Sequence, residues 1–110
     1  MPQITVDYSA PLDRRGFALA LHPLVAEATG ASSAACATRF REVEETVIGD
    51  GATDEAVVHV EIALKFGRTD DTKNRLSKAV LALLPRHLKT ADGVRLSVEV
   101  RDLESSYRAG

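Results

Sequence analysis

The sequence predicts an α+β fold in which two β-α-β units form a four-stranded mixed sheet with two helices on one face. Segments with two-residue apolar alternation begin and end the chain and recur in its middle. Two segments with helical periodicity separate them. The halves also share similar hexapeptides, ALALHP at residues 18–23 and VLALLP at residues 80–85. A strand-helix-strand unit with a long helix favours two parallel strands joined by a crossover.

The first half contains one strand, one helix and a second strand. Residues 2–8 alternate between apolar and polar side chains, which is typical of a half-buried strand. Residues 12–28 have helical spacing, and Gly30 stands where a glycine commonly ends a helix. Residues 38–49, rich in Thr and Val, predict the second strand, which leads into a turn at GDG.

The second half repeats this order. Residues 56–66 alternate cleanly and predict the third strand. A second helix is expected over residues 70–90, with Thr69 as its N-cap. The prolines of both hexapeptides fall inside helical segments, where we expect kinks. Residues 94–100 predict the last strand, and the polar tail, 104–110, is expected to be mobile or to pack on a neighbouring subunit.

Composition excludes several classes of function. All 110 residues fit one domain, and the net charge of −2 with no Trp argues against nucleic-acid binding. No apolar run reaches the roughly 20 residues that span a bilayer, and no signal peptide is evident. Cys36 is the only cysteine, so we expect no internal disulfide and a cytoplasmic location. The three histidines are scattered without metal-ligand spacing, so we expect no metal site.

Three arginines are candidate ligands for a carboxylate. Arg39 and Arg41 are two residues apart in a predicted strand, so their side chains leave the same face. Arg68 precedes the N-terminus of the second helix, where a guanidinium and the helix dipole together favour an anion. The alternative is that all three arginines pair with surface carboxylates.

Pro2 is the candidate acid-base residue. Removal of Met1 would leave a secondary amine, and an apolar pocket or nearby cations would lower its pKa towards neutrality. Such an amine can take a proton from a carbon beside a carbonyl and return it elsewhere, while arginines hold the substrate and stabilise the enolate. The simpler reading is that Pro2 only begins an edge strand.

The assembled pattern resembles the 5-carboxymethyl-2-hydroxymuconate isomerase family of the tautomerase superfamily. The similar segments are MPQITVDYS, RFREVEETVIGDG, VHVEIALKFGRT and VRLSVEVRDL, and they cover about residues 2–103. The resemblance implies a homotrimer that uses no cofactor and acts on a small carboxylated dienol in the breakdown of aromatic compounds. It implies that Pro2 moves the proton and that Arg68 is the arginine of the family's GR sequence.

The resemblance is less exact in the middle of the chain. An R-x-R pair is expected there, but its first position falls on Ala37, leaving Arg39 as the second arginine and Arg41 beyond it. We therefore expect Arg39, Arg68 and Arg41 to bind substrate, with a weaker hold on one carboxylate. Two alternatives stay open: a non-catalytic metabolite-binding or oligomerisation module, and a different chemistry such as dehalogenation or decarboxylation.

Overall fold

A computed structural model describes all 110 residues, Met1–Gly110, as one four-stranded sheet with two helices. The strands are β1 (Gln3–Tyr8), β2 (Ala37–Glu42), β3 (Ala56–Leu64) and β4 (Val94–Asp102). The helices are α1 (Arg14–Thr29) and α2 (Asp70–Leu83). The sheet order is β2-β1-β3-β4, in which β1 pairs parallel to β2 and antiparallel to β3, and β3 pairs parallel to β4. The predicted α+β class and the mixed sheet are confirmed.

The hydrophobic core lies between one face of the sheet and both helices. On β1 and β3, every second side chain is buried, as the alternation predicts; the buried set includes Ile4, Val6, Val58, Val60 and Ile62. Phe17 and Leu21 of α1, and Leu76 and Val80 of α2, are fully buried against them. The inward side chains of β4 are only half-buried, because β4 is an edge strand.

Both helix starts have side-chain caps. Asp13 accepts a hydrogen bond from Gly16 N at the start of α1, and Thr69 accepts one from Thr72 N at the start of α2, as predicted for Thr69. Gly30 ends α1 with φ = 76°, a conformation that L side chains adopt only with strain. Neither helix combines the length and the apolar character needed to span a bilayer.

Two predicted boundaries are wrong by several residues, and the third strand, expected over residues 56–66, ends two residues early at Leu64. The second strand was expected over residues 38–49 but ends at Glu42, because its only partner, β1, ends at Tyr8 opposite it. The second helix was expected over residues 70–90 but changes at Leu84 to a 3-10 segment, Leu84–His87, which contains Pro85. Pro23, by contrast, lies inside an unbroken α1.

The other sheet face carries mainly polar and charged side chains. Across it, Arg41 pairs with Asp7 at 2.7 Å, Arg101 pairs with Glu61 at 3.0 Å, and His59 Nδ1 lies 2.6 Å from Ser97 Oγ. The first strand contributes Asp7, and the edge strands contribute the arginines. This face therefore presents a network of paired charges opposite the hydrophobic core.

Candidate active site

Pro2 lies at the end of the sheet where β2 starts and β3 ends. It is buried, and its carbonyl oxygen accepts a hydrogen bond from Ala37 N at 3.3 Å. The register places the next residue, Gln3, opposite both Ala37 and Ala63. Met1 is 56% exposed. The nitrogen of Pro2 is thus an amide while Met1 is attached, and the bond that would have to be cut lies at the protein surface.

A cavity of about 320 Å³ adjoins this N-terminus. Its lining combines apolar and charged side chains from three parts of the chain: Met1, Lys65, Phe66, Leu103, Glu104, Ser105, Tyr107 and Arg108. The volume lies at the lower end of the range for small-molecule sites. Of the predicted site residues, Pro2, Arg39 and Arg68 do not line the cavity; the N-terminus reaches it through Met1.

Arg68 follows β3 at the same end of the sheet as Pro2. Its side chain is half-buried, and its Nε is buried without a hydrogen-bond partner. A buried donor with no acceptor costs free energy, so the native fold rarely retains one without a reason. Asp70 and Asp71 occupy the first turn of α2 just beyond it, but neither forms an ion pair with Arg68. The Nη groups of Arg68 also form no hydrogen bond or ion pair, so they, rather than the buried Nε, remain available to an external acceptor.

Arg39 and Arg41 project from the same face of β2, as the sequence predicts. Arg39 Nη2 donates to Gln3 Oε1 at 2.9 Å, although Arg39 stands opposite Thr5. Its guanidinium therefore leans back towards the Pro2 end of the sheet, beside the residue that faces Ala37. Arg39 has no carboxylate partner.

Arg41 is placed differently. It stands opposite Asp7, five residues along the sheet from Pro2, which corresponds to about 16 Å at 3.3 Å per residue. Its Nε and Nη2 donate to the two carboxylate oxygens of Asp7 at 2.7 and 3.1 Å. This bidentate contact lowers the pKa of Asp7 and raises that of Arg41. Within one chain, Arg41 is thus paired and remote from Pro2, while Arg68 and Arg39 are not paired with carboxylates.

The histidines and the cysteine lie in structural settings. His22 Nε2 is 2.7 Å from Thr38 Oγ1, and His87 Nδ1 lies 4.0 Å from Asp13. Cys36 is half-buried, and burial raises the pKa of its thiol. No three His, Cys, Asp or Glu side chains cluster in a way that would suit a metal ion.

The sequence analysis missed four side chains of the cavity: Lys65, Phe66, Tyr107 and Arg108. Lys65 and Phe66 were predicted to lie inside the third strand, but β3 ends at Leu64, so both lie in the connection to Arg68, where functional residues are common. No sequence pattern pointed to the tail, because its contact with Gln3 joins residues 104 positions apart.

Comparison with known proteins gives a consistent result. The family model for 5-carboxymethyl-2-hydroxymuconate isomerase matches residues 2–109. No curated protein matches the chain by sequence.

Several solved structures share the fold over nearly the whole chain. A 5-carboxymethyl-2-hydroxymuconate isomerase from Deinococcus radiodurans R1 superposes with a TM-score of 0.80 at 18% identity, covering 99% of this chain and 89% of that one. A fused wild-type 4-OT symmetric trimer gives 0.77 at 24% identity, covering 98% and 90%. A 5-carboxymethyl-2-hydroxymuconate delta-isomerase gives 0.77 at 15% identity, covering 100% and 87%. At these identities the likeness establishes the fold.

Proposed function

The chain belongs to the 5-carboxymethyl-2-hydroxymuconate isomerase family, and from this premise we propose that it isomerises a small unsaturated 2-hydroxy or 2-oxo carboxylic acid similar to 5-carboxymethyl-2-hydroxymuconate. Family membership supports an isomerase of the tautomerase type. The observation that carries the finer proposal is the position of Pro2, buried directly behind an exposed Met1 that lines the cavity.

In the proposed reaction, Met1 is removed and the free-base nitrogen of Pro2 takes a proton from the substrate. The electron pair of the broken bond moves through the conjugated system, and the protonated nitrogen returns the proton to a different carbon. The step is a 1,3- or 1,5-proton transfer with no net change in the enzyme and no cofactor. Nearby cations and partial burial favour the neutral amine and bring its pKa towards the working pH, as a general base requires.

Arg68 and Arg39 are the proposed substrate ligands in this scheme. Both lack a carboxylate partner, and the Nη groups of Arg68 form no hydrogen bond within the chain, so they are free to bind a substrate oxygen. Guanidinium groups bind carboxylates through charge-assisted hydrogen bonds and also stabilise a developing enolate. Arg41 stays a predicted ligand that would first have to leave Asp7.

We further propose a homotrimer. One of the similar folds is a symmetric trimer, and the polar sheet face and the open edge of β2 are available to neighbouring subunits. In such an assembly, an arginine of one subunit could complete the pocket of the next. A trimer with no membrane or nucleic-acid partner, in the cytoplasm, is the setting that we propose.

The first test combines mass spectrometry with a Pro2→Ala variant. The purified native chain is expected to lack Met1, and Pro2→Ala is expected to lose roughly 100- to 10,000-fold in the ketonisation of 2-hydroxymuconate-type dienols, followed by ultraviolet absorbance. Pro11→Ala is the matched control, since Pro11 is exposed at the opposite end of β1. Retention of Met1, or full activity of Pro2→Ala, would leave a non-catalytic binding module as the better reading. Activity on a different substrate class that still requires Pro2 would indicate another tautomerase-fold chemistry.

A further inference from the structure

The C-terminal tail is held against the cavity by contacts at its start and in its middle. Leu103 N donates to Leu64 O at 2.6 Å, which continues the pairing of β3 with β4 up to the start of the tail. Further on, Tyr107 N donates to Glu104 O at 2.9 Å, and Gln3 Nε2 donates to the Tyr107 hydroxyl at 3.2 Å. The tail thus forms a wall of the cavity beside the N-terminus.

Two cations of this cavity have no carboxylate partner. Lys65 and Arg108 both line it, and neither forms an ion pair within 4.0 Å. Arg108 Nη1 donates to Ser105 O at 3.0 Å and to Tyr107 O at 2.9 Å, which orients the guanidinium and leaves its other N–H groups available. Glu104 is the one carboxylate of the lining, so the cavity keeps an excess of positive charge.

The apolar part of the lining limits the shape of the ligand. Phe66 and Leu103 contribute the apolar surface that stays when Met1 is removed, and the volume of about 320 Å³, which excludes the space taken by Met1, accommodates one small molecule. An apolar wall with cations beside it suits a short conjugated carbon chain that ends in a carboxylate. A ligand with two carboxylates could present one to this pair and the other towards Arg39, which does not line the cavity but contacts Gln3, the residue that donates to Tyr107 of the lining.

We propose that Lys65 and the tail residue Arg108 form a carboxylate subsite that selects dicarboxylates over monocarboxylates. The proposal rests on the proposed function in assigning the ligand as substrate, and it adds residues from outside the predicted arginine set. The tail is then part of the substrate pocket and sets its specificity at one end. Because both cations are partly in water, their effect on affinity is moderate, about tenfold for the pair.

The experiment compares two dienes of equal length by isothermal titration calorimetry. trans,trans-Muconate carries a carboxylate at each end, and sorbate carries one. The native protein is expected to bind muconate about tenfold more tightly than sorbate. Lys65→Met combined with Arg108→Gln is expected to weaken muconate binding about tenfold and so to remove this preference.

Two further variants separate local from general effects. Lys78→Met combined with Arg86→Gln removes the same charges from exposed positions outside this cavity and is expected to keep the preference. Lys65→Met alone leaves every tail hydrogen bond in place and is expected to lose part of the preference for muconate. Equal binding of the two dienes by the native protein, no binding of muconate at millimolar concentration, or an unchanged preference in the Lys65–Arg108 variant would overturn the subsite.

The result is independent of the catalytic test. If the preference for muconate depends on Lys65 and Arg108 but no Pro2-dependent turnover is found, the proposed subsite stands and the proposed isomerase function is wrong. If turnover depends on Pro2 but muconate affinity does not change when Lys65 and Arg108 are replaced, the proposed function stands and the proposed subsite is wrong.

Discussion

Replacing Arg68 with Met is predicted to stabilise the fold while weakening substrate binding. The structural basis is the buried Nε, which has no hydrogen-bond partner, on a side chain that forms no ion pair. Methionine keeps an unbranched apolar side chain in the same space and removes the unsatisfied donor. A residue retained for the fold alone would give the opposite result, because its loss would remove favourable contacts.

The magnitude follows from the cost of a buried unsatisfied group. That cost is about 1–3 kcal/mol, and the half-burial of Arg68 favours the lower end. A gain of about 1 kcal/mol raises the Tm of a domain of this size by roughly 4 °C. If the guanidinium binds a substrate carboxylate, its loss costs about 1.5–3 kcal/mol of binding, which raises KM roughly 10- to 100-fold.

The assay pairs thermal unfolding with steady-state kinetics on the same samples. Arg75→Met is the matched control: Arg75 lies on the exposed side of α2, 3.0 Å from Asp71, so its loss should change stability only slightly and leave KM unchanged. An Arg68→Met variant that melts several degrees below the native protein, with kcat/KM intact, would refute the reasoning and make Arg68 a structural residue.

Two other predictions concern the fold that supports the site. Folding depresses the pKa of Asp7 through its hydrogen bonds with Arg41, so this pair stabilises the protein above the ordinary carboxyl pKa of about 4 and loses its effect as the pH falls through the lower folded value. Urea unfolding from pH 7 to pH 2.5 should therefore show a smaller acid-induced loss of stability for Asp7→Asn than for the native protein; identical pH profiles would contradict it. Leu21→Ala is expected to cost about 2–5 kcal/mol of unfolding free energy, because Leu21 is fully buried in α1. Leu19→Ala, on the same helix but 60% exposed, should stay within about 0.5 kcal/mol, and equal losses for the two would contradict the assigned core.

The strands that bury one apolar face and expose one polar face could be predicted from the sequence. The alternation in β1 and β3 follows from the difference between the helix-covered face and the polar face, and the residues at its apolar positions, including Ile4, Val6, Val58 and Val60, are buried. Thr69 was predictable because the cap depends on its own side chain and on backbone three residues away.

The boundaries failed where a distant partner decides them. Residues beyond Glu42 have strand-forming composition, yet β2 ends there because β1 offers no further backbone groups for pairing. The sequence of β2 itself does not show where β1 ends. The 3-10 segment at Leu84–His87 was closer to predictable, since Pro85 cannot donate the hydrogen bond that continues a helix.

The same distinction applies to the candidate site: features set by one strand could be predicted, and features set by strand pairing could not. The shared face of Arg39 and Arg41 follows from strand periodicity alone. Their different partners follow from the parallel register, which sets Asp7 opposite Arg41 and leaves Gln3 within reach of Arg39. The same register shows what lies near Ala37, the position where an arginine was expected. Ala37 stands opposite Gln3, and the Arg39 guanidinium contacts Gln3.

The most direct test of the proposed chemistry is the pKa of the Pro2 nitrogen, measured by nitrogen-15 NMR titration of the chain with Met1 removed. An unperturbed terminal amine titrates near 8, and an effective base at neutral pH is expected at about 7. A pKa near 7 that rises when Arg68 is replaced by Met would support Pro2 as a general base whose pKa is lowered by nearby cations. A value at or above about 9, unchanged by that replacement, would contradict it.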